Sequence, residues 1–345
     1  MQFKQLQKLK KGDTVAVLST SWAGPAIFPH VFDLGLQRMK NVFGLQPVEY
    51  PTTRKINAST QERTVDLIAA FENTSIKAVF ASIGGDDQVT YIKNLPSEPF
   101  FNNPKPFFGY SDNTHFMNHL WLNGVPSFYG GAVMTQFAMQ KRMDEYTVNL
   151  LKTALFEKGE FELKPSDTYN DIGLEWGNQI NLDKERIHEQ NEGWFWNIQK
   201  DVQGVTWGGC LESIDEMMRH NISLPTLDQF ESIVLFTETS EEIPSSDYVA
   251  RVYRALGERG ILERVQAVLV GRPKAWEFDN QKSKDEKQTY RADQRTATVE
   301  AIRKYNTTIP VVQNLDFGHT DPQIPFPNGK IIRLAGKTNQ IFVNF

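Results

Sequence analysis

The first half of the chain alternates short apolar segments with amphipathic segments, and this alternation restricts its fold more than any other feature. Residues 14–18, 77–83 and 107–110 have the apolar composition of buried strands. Between the first two, Ser59 and Glu62 have the spacing of a capping box, which predicts the start of a helix. Strands that alternate with helices are typical of an α/β domain with a largely parallel sheet. Ligands of such a domain bind at the carboxyl ends of its strands.

The second half has a different pattern. A polar, loop-rich stretch runs from about residue 160 to 202, and further apolar segments with the length of strands follow it. These segments are 233–236, 267–270, 309–312, 331–334 and 340–343. A helix capped by Ser246 is predicted to end before Gly260, and residues 279–286 are predicted to form a charged surface loop. Since 345 residues exceed the usual size of one core, we expect an N-terminal α/β domain over 1–165 and a strand-rich mixed α/β domain over 166–345.

The composition argues against several classes of function. The net charge is −5 and no long run of Lys or Arg occurs, so no nucleic-acid partner is expected. No apolar stretch approaches the ~20 residues that a membrane span needs, and the N-terminus lacks an apolar signal core. We therefore expect a cytosolic protein with no membrane partner. The single cysteine, Cys210, excludes an internal disulfide and a cysteine-rich zinc site, and its apolar neighbours predict a buried thiol.

One serine stands at the junction of a strand and a helix. The predicted strand 107–110 runs directly into Ser111, and residues 112–122 carry an apolar stripe with helical spacing. Free backbone N–H groups at a helix N-terminus favour developing negative charge, so Ser111 is a candidate nucleophile. The segment differs from the Gly-x-Ser-x-Gly elbow, because Asn113 stands in place of the second glycine.

A nucleophilic serine needs a general base, usually a histidine, and a carboxylate that orients the base. His319 lies in a turn-rich loop after the strand predicted at 309–312, and catalytic groups concentrate on such loops. Glu238 follows the strand 233–236 closely, but with acidic neighbours at 241–242 the residues alone favour a solvated strand end. The histidines in ordinary helical or polar surroundings are His30, His188 and His220.

Two other kinds of site fit parts of the sequence. His115 and His119 have the i, i+4 spacing that can present two imidazoles to a metal, but both border an apolar stripe, so packing is the favoured interpretation. The Gly-Gly-Asp-Asp segment at 84–87 resembles the phosphate loops of the NAD kinase type, which would require magnesium and ATP. No Walker-type Gly-x-x-x-x-Gly-Lys segment accompanies it.

Four segments, taken in order and spacing, resemble the LD-carboxypeptidase family of serine peptidases, and within it the microcin C self-immunity peptidase branch. They are Ser82-Ile83-Gly84-Gly85-Asp86-Asp87, Gly109-Tyr110-Ser111-Asp112-Asn113-Thr114, Leu235-Phe236-Thr237-Glu238-Thr239-Ser240 and Gly318-His319-Thr320-Asp321-Pro322. The resemblance implies a Ser-Glu-His triad, with Ser111 on the N-terminal domain and Glu238 and His319 on the C-terminal domain. The active site is then expected at the domain interface.

The same resemblance implies further site residues. By family analogy the backbone N–H groups of Gly85 and Asp112 form the oxyanion hole, a role for which glycine permits the necessary close approach. Gly84 and Trp176 are implied to bind substrate, with the indole of Trp176 stacked on a nucleobase. For Trp176, packing of its own loop is an equally good interpretation, whereas the aromatic residues at 194–196 have the pattern of strand packing.

The branch implies hydrolysis of the amide that joins an aminoacyl or peptidyl group to a modified nucleotide. One alternative is an LD-carboxypeptidase that releases a terminal D-amino acid from murein tetrapeptides. Another is a binding protein that sequesters the conjugate without turning it over. The expected partner is thus a small peptide or peptidyl-nucleotide, no metal or organic cofactor is implied, and a homodimer is expected by family analogy.

Overall fold

The computed structural model describes residues 2–345, in which sixteen strands form two large sheets and a two-stranded ribbon. The strands are β1 (Thr14–Leu18), β2 (Gln46–Glu49), β3 (Ile76–Ala81), β4 (Phe107–Gly109), β5 (Ser127–Tyr129), β6 (Glu160–Leu163), β7 (Thr168–Tyr169), β8 (Glu189–Gln190), β9 (Phe195–Trp196), β10 (Val202–Cys210), β11 (Ile233–Glu238), β12 (Ala267–Gly271), β13 (Val311–Leu315), β14 (Phe326–Asn328), β15 (Ile331–Ala335) and β16 (Gln340–Asn344). The pair β7 and β8 forms the separate ribbon.

Helices cover the sheets and connect the parallel strands. They are α1 (Gly24–Ile27), α2 (Pro29–Asn41), α3 (Thr60–Glu72), α4 (Val89–Ile92), α5 (Glu98–Asn102), α6 (Thr114–Leu122), α7 (Glu145–Phe156), α8 (Leu211–His220), α9 (Leu227–Phe230), α10 (Ser246–Glu258) and α11 (Lys284–Arg303). The predicted capping box at the start of α3 is confirmed, because the Ser59 hydroxyl accepts the N–H of Glu62 and the Glu62 carboxylate accepts the N–H of Ser59.

The first sheet has the strand order β14-β5-β4-β3-β1-β2. Its five strands from the first half of the chain are all parallel, and only β14 pairs antiparallel, at the β5 edge. The predicted α/β domain with a largely parallel sheet is therefore confirmed. Because β3 and β4 are neighbours, the Gly84-Gly85 turn and Ser111 leave the same edge of this sheet.

The second sheet has the order β6-β16-β15-β10-β11-β12-β13-β9. Its four central strands, β10 to β13, are parallel, and antiparallel strands flank them on both sides. The predicted mixed, strand-rich architecture and the closing β15–β16 hairpin are confirmed. The strand Glu160–Leu163 pairs with β16 in this sheet, and β14 pairs in the first, so each sheet takes a strand from the other half of the chain. The domain division at residue 165 stays a prediction.

Aromatic side chains join the two sheets beside the carboxyl ends of their central strands. Phe236 of β11 lies 5.7 Å from the ring of Tyr129 in β5 and 5.0 Å from that of Phe326 in β14. Phe317, in the loop after β13, packs on Phe326 at 4.6 Å. These rings are buried and belong to one continuous apolar cluster. Burial of these apolar rings stabilises the contact between the sheets without directional bonds. It thereby fixes the loops at the ends of the two sheets relative to each other.

Three local predictions need correction. The N-cap of α10 is Ser245 rather than Ser246, since the Ser245 hydroxyl accepts the N–H of Tyr248. The segment 279–286 is only partly a loop: Ser283 caps α11, and its last three residues form the first helical turn. The strand predicted at 309–312 begins at Val311 and extends to Leu315. In each case the predicted sequence pattern is present. The capping hydrogen bond or the pairing of the strand places the end of the element a few residues away from the predicted position.

Candidate active site

Ser111 follows β4 directly and adopts a backbone conformation that is rare for a serine. Its φ is +62°, in the left-handed region that costs a residue with a Cβ roughly 1–2 kcal/mol. Its N–H donates to the Tyr129 hydroxyl at 3.0 Å, and a short 3-10 turn from Ser111 to Asn113 leads into α6. A Cβ added to Gly84 would lie 3.0 Å from the Ser111 Cβ, so a glycine is needed beside this turn. These contacts compensate for the strained backbone. They hold Ser111 in the wall of a large cavity.

Glu238 and His319 meet at the end of the second sheet. Glu238 is the last residue of β11, and its side chain has no exposed surface. His319 lies in the loop after β13, where its Nδ1 is 2.7 Å from Glu238 Oε2 and its backbone N–H donates to the same oxygen at 3.3 Å. A Cβ on Gly318 would collide with the Glu238 carboxylate, so glycine at 318 permits this approach. The pair has the contact by which a carboxylate orients an imidazole.

Tyr129 connects this pair to Ser111, and the sequence analysis did not identify it. Its hydroxyl donates to Glu238 Oε1 and accepts the N–H of Ser111. Burial, reinforced by the negative charge of Glu238, raises the pKa of Tyr129 well above its ordinary value, so the hydroxyl is the neutral donor. The sequence signal for Tyr129 is the segment Ser127-Phe128-Tyr129, which two glycines follow. It combines aromatic residues with glycine, as the strand before Ser111 does.

The imidazole of His319 lies between two carboxylates. Its Nδ1 is 2.7 Å from Glu238 Oε2, and its Nε2 is 2.9 Å from Glu241 Oε2. Burial alone would lower the pKa of His319, but Glu238 and Glu241 together raise it to about 10. Conversely, the partial burial of the Glu241 carboxylate acts to raise its pKa, but the positive charge of His319 outweighs this effect and lowers the pKa to about 2. Both carboxylates thus favour the protonated form of the imidazole.

Ser111 and His319 line the same cavity, whose volume is about 1040 Å³. The ring of Tyr110, the residue before the serine, lies 5.0 Å from the His319 ring. Within residues 2–345 the Ser111 hydroxyl has no hydrogen bond, and the His319 ring nitrogens contact Glu238 and Glu241. The structure thus brings the three residues of the predicted triad to one site, with the histidine and the glutamate already in contact.

The other predicted binding residues lie around this cavity. Gly84, Gly85 and Trp176 are part of its wall. A Cβ on Gly85 would collide with the Ser21 side chain, which explains the glycine there. The indole of Trp176 packs edge-on against Phe28, with ring centroids 5.6 Å apart, and it is half-buried. Trp176 therefore has a packing contact with Phe28 as well as a face in the cavity.

Asp112 is buried behind the serine. Its carboxylate accepts the backbone N–H groups of Asp87 at 3.2 Å and Gln88 at 3.1 Å, which fastens the loop after β3 to the start of α6. Burial raises the pKa of this carboxyl, and nearby His115 opposes the shift. The side chain of Asp112 thus has a structural task, and the predicted oxyanion role concerns only its backbone N–H.

The two histidines considered for a metal site are packed against neighbouring side chains. His115 is buried with its Nε2 3.1 Å from Glu216 Oε2, and His119 packs against Phe100 with ring centroids 5.6 Å apart. This packing agrees with the interpretation that the apolar stripe favoured. Cys210 is 2% exposed, as predicted. Between residues 2 and 345 we find no group of three or more His, Cys, Asp or Glu side chains arranged to hold a metal ion. In the same range no helix combines the length and apolarity that crossing a bilayer requires.

Known proteins match the chain in both sequence and structure. Family models for the LD-carboxypeptidase N-terminal domain and C-terminal domain match residues 15–130 and 203–334. The microcin C7 self-immunity protein MccF of Escherichia coli is 23% identical over 95% of this chain and 91% of its own length. An MccF-like protein from Streptococcus pneumoniae, solved in complex with AMP, has a TM-score of 0.84 at 26% identity and covers 96% of this chain and 98% of its own.

A structure of MccF in complex with aspartyl sulfamoyl adenosine has a TM-score of 0.85 at 21% identity, covering 99% of this chain and 98% of that one. At this identity the likeness is one of fold. The two family models lie on the two halves of the chain, and their order agrees with the order of the two sheets. The chain therefore belongs to the LD-carboxypeptidase family and is a hydrolase of the serine carboxypeptidase type.

Proposed function

We propose that this protein is a serine amidase that hydrolyses the amide between an aminoacyl or peptidyl group and a modified nucleotide, using Ser111, His319 and Glu238. The observation that carries the proposal is the contact between His319 Nδ1 and Glu238 Oε2 at 2.7 Å, in the cavity that Ser111 also lines. Tyr129 supports it, because its hydroxyl bonds both Glu238 and the Ser111 backbone.

The proposed chemistry is acyl transfer. The Ser111 hydroxyl oxygen attacks the scissile carbonyl while His319 Nε2 takes its proton, and a tetrahedral oxyanion forms. Collapse of this intermediate breaks the carbon–nitrogen bond, and His319 gives the proton to the leaving nitrogen. Water then attacks the acyl-enzyme: His319 Nε2 takes a proton from the water and gives it to the Ser111 oxygen as the ester bond breaks. Glu238 keeps Nδ1 protonated and stabilises the imidazolium in both steps.

The backbone N–H groups of Gly85 and Asp112 are proposed to stabilise the oxyanion. Gly85 lies in the cavity wall, and Asp112 follows the serine at the start of the turn that leads into α6. Both segments are fixed, since the Asp112 carboxylate binds the N–H groups that follow the Gly-Gly turn. Donors that are fixed in advance lower the barrier most, because they need no reorganisation when the charge develops; each is worth roughly 2.7–4 kcal/mol.

A nucleotide conjugate fits the cavity in size and in lining. Its volume of about 1040 Å³ is at the upper end of the range for small-molecule sites, and its wall includes Trp22, Phe28 and Trp176. Relatives of the same fold bind AMP and aspartyl sulfamoyl adenosine. The LD-carboxypeptidase activity on murein tetrapeptides remains the alternative, because the family models cover that activity as well.

The substrate class is tested by offering the purified enzyme a murein tetrapeptide and an aminoacyl sulfamoyl adenosine side by side. We expect the nucleotide conjugate to be cleaved with a kcat/KM at least about 100-fold higher, because only it can use aromatic stacking as well as the acyl site. Product release is followed by chromatography. Preference for the tetrapeptide would select the carboxypeptidase alternative, and stoichiometric binding without turnover would select the binding-protein alternative.

Trp176 is proposed to stack on the nucleobase. Replacing Trp176 by Ala is expected to raise KM for the nucleotide conjugate by about 5- to 150-fold, since stacking on a base is worth ~1–3 kcal/mol. Replacement by Phe keeps a smaller ring and is expected to have an intermediate effect. Trp196→Phe in edge strand β9, outside the cavity wall, is the control. Equal losses for the conjugate and for a substrate without a base would contradict stacking.

Two expectations from the family resemblance complete the proposal. We propose that the protein acts as a homodimer and that it works in the cytosol. Both stay predictions.

A further inference from the structure

We propose that Glu241 is a specificity-determining residue that binds a positively charged amino group on the acyl part of the substrate. The inference rests on the proposed function and specifies its substrate class: acyl groups with a free amino group and without an acidic side chain. It begins from the contact between Glu241 Oε2 and His319 Nε2 at 2.9 Å.

Glu241 lines the cavity beside the nitrogen that takes part in the proposed attack. Before reaction, the attacking oxygen lies about 3 Å from both Nε2 and the carbonyl carbon. The α-carbon of the acyl group is bonded to that carbonyl carbon, so an amino group on it lies about 2.5 Å from the carbon that the serine attacks. A carboxylate that already touches Nε2 is therefore within reach of this amino group after a small rotation of its side chain.

The two carboxylates beside His319 differ in their freedom to move. The Glu238 side chain has no exposed surface and is bonded to Tyr129, whereas 54% of the Glu241 side chain is exposed. The backbone before Glu241 is anchored, because both the N–H and the hydroxyl of Ser240 donate to Glu212 Oε1. Glu241 thus combines an anchored backbone with an exposed carboxylate, which has room to exchange one partner for another.

The exchange would couple recognition to catalysis. While Glu241 pairs with Nε2, the imidazole keeps its proton and cannot accept the one from Ser111. An ammonium group on the substrate offers Glu241 a replacement partner, and Nε2 then becomes available to the serine hydroxyl. A substrate without this charge must displace Glu241 with no compensating ion pair, so its kcat/KM is lower.

The remaining charges of the cavity wall disfavour an acidic acyl group. Arg186 is already held by Asp144 at 2.6 Å and by Asp321 at 2.7 Å, and Lys274 is paired with Glu277. Glu242 adds a further carboxylate to the wall. An aspartyl group would meet these carboxylates, and the cations within residues 2–345 that line the cavity already have acidic partners.

The test compares alanyl sulfamoyl adenosine with its N-acetyl derivative, which differ only in the charge of the amino group. We expect the wild-type enzyme to prefer the free amine by at least about tenfold in kcat/KM, and Glu241→Gln to reduce that ratio to within about twofold. The exposed Glu263→Gln is the control, since it removes one charge from a residue that is not part of the cavity wall.

The dependence of kcat/KM on pH is a second measurement. A purely structural role of Glu241 would leave it unchanged. His319 faces Glu238 and Glu241 and the uncharged ring of Tyr110, and Lys274 acts on Glu241. Because Glu241 raises the pKa of His319, its removal is expected to move the acidic limb of kcat/KM for the N-acetyl substrate to lower pH.

The possible outcomes distinguish a failure of the proposed amidase function from a failure of the role proposed for Glu241. Cleavage of neither conjugate by the wild-type enzyme would overturn the proposed function and, with it, this inference. Equal cleavage of both conjugates would leave the function in place and overturn the role of Glu241. An equal loss of preference in Glu263→Gln would also overturn it, because the effect would then come from the general electrostatic field and not from the contact with His319.

Discussion

Replacing Ser111 by Ala is expected to lower kcat for the aminoacyl sulfamoyl adenosine by about 10⁴-fold or more, the loss seen when a serine nucleophile is removed. The substitution deletes one oxygen atom. That atom is the proposed nucleophile, and neither His319 nor the oxyanion donors can replace it. The residual rate would come from binding and from the oxyanion hole alone.

The folded state should survive this change. Alanine keeps the Cβ of serine, so the strain at φ +62° is the same, and the backbone N–H still donates to Tyr129. The melting temperature and the affinity for AMP are the measurements that confirm it. Ser232→Ala is the matched control, since Ser232 is exposed and, within residues 2–345, its hydroxyl bonds only the Gln229 carbonyl. Unchanged turnover in purified Ser111→Ala would mean that another group attacks the carbonyl.

The position of Ser111 was predictable because its signals are local. An aromatic strand runs into the serine and a helical stripe follows at once, so the end of a strand and the start of a helix could be read from adjacent residues. The parallel order of the first sheet followed from the alternation of such units. Glu238 and His319 are also at strand ends, but their contact joins residues 81 positions apart, and the family resemblance was needed to link them.

The roles of Tyr129 and Glu241 could not be predicted in this way. Tyr129 is 109 positions from Glu238, and their bond exists only because the two sheets pack through the rings around Phe236. Glu241 was visible only as a charged neighbour of Glu238. Whether it faces water or His319 depends on how the loop after β11 meets the loop after β13. Contacts of this kind are set by tertiary packing, which leaves no periodic trace in the sequence.

The longest helix, α11, was missed for a related physical reason. Its buried face carries charged and polar side chains where an amphipathic pattern would have apolar ones. Lys287 donates to Asp171 at 2.8 Å, and Arg291 also binds Asp171, so the buried charges are paired. Both bonds reach across more than 100 positions of the chain. A helix buried through ion pairs looks like a solvated segment when its partners are unknown.

Replacing Glu238 by Gln is expected to lower kcat by about 10³- to 10⁴-fold, similar to the loss of the orienting carboxylate in other serine hydrolases. Glutamine has nearly the same shape, so the buried site loses charge but little packing. Its amide can donate a hydrogen bond to Nδ1, which favours the tautomer with the proton on Nε2. That tautomer cannot accept the proton of Ser111.

A second histidine–carboxylate pair in this chain provides the control. His115 Nε2 lies 3.1 Å from Glu216 Oε2, and Glu216 is not part of the cavity wall. Glu216→Gln removes the same charge from a similar pair and is expected to change kcat by less than about twofold. Comparable losses in the two variants would indicate a general effect on the fold and would contradict a catalytic pair.

The residual activity of Glu238→Gln should also change its dependence on pH. In the wild-type protein burial acts to lower the pKa of His319, and the two carboxylates outweigh it and raise the value to about 10. Removing Glu238 leaves the opposing effect of burial against Glu241 alone, so the pKa of His319 must fall. The acidic limb of kcat/KM is therefore expected at lower pH than in the wild-type enzyme, although the rate itself is smaller. If the limb stays in place while the rate drops, Glu238 acts on the position of another group and not on His319.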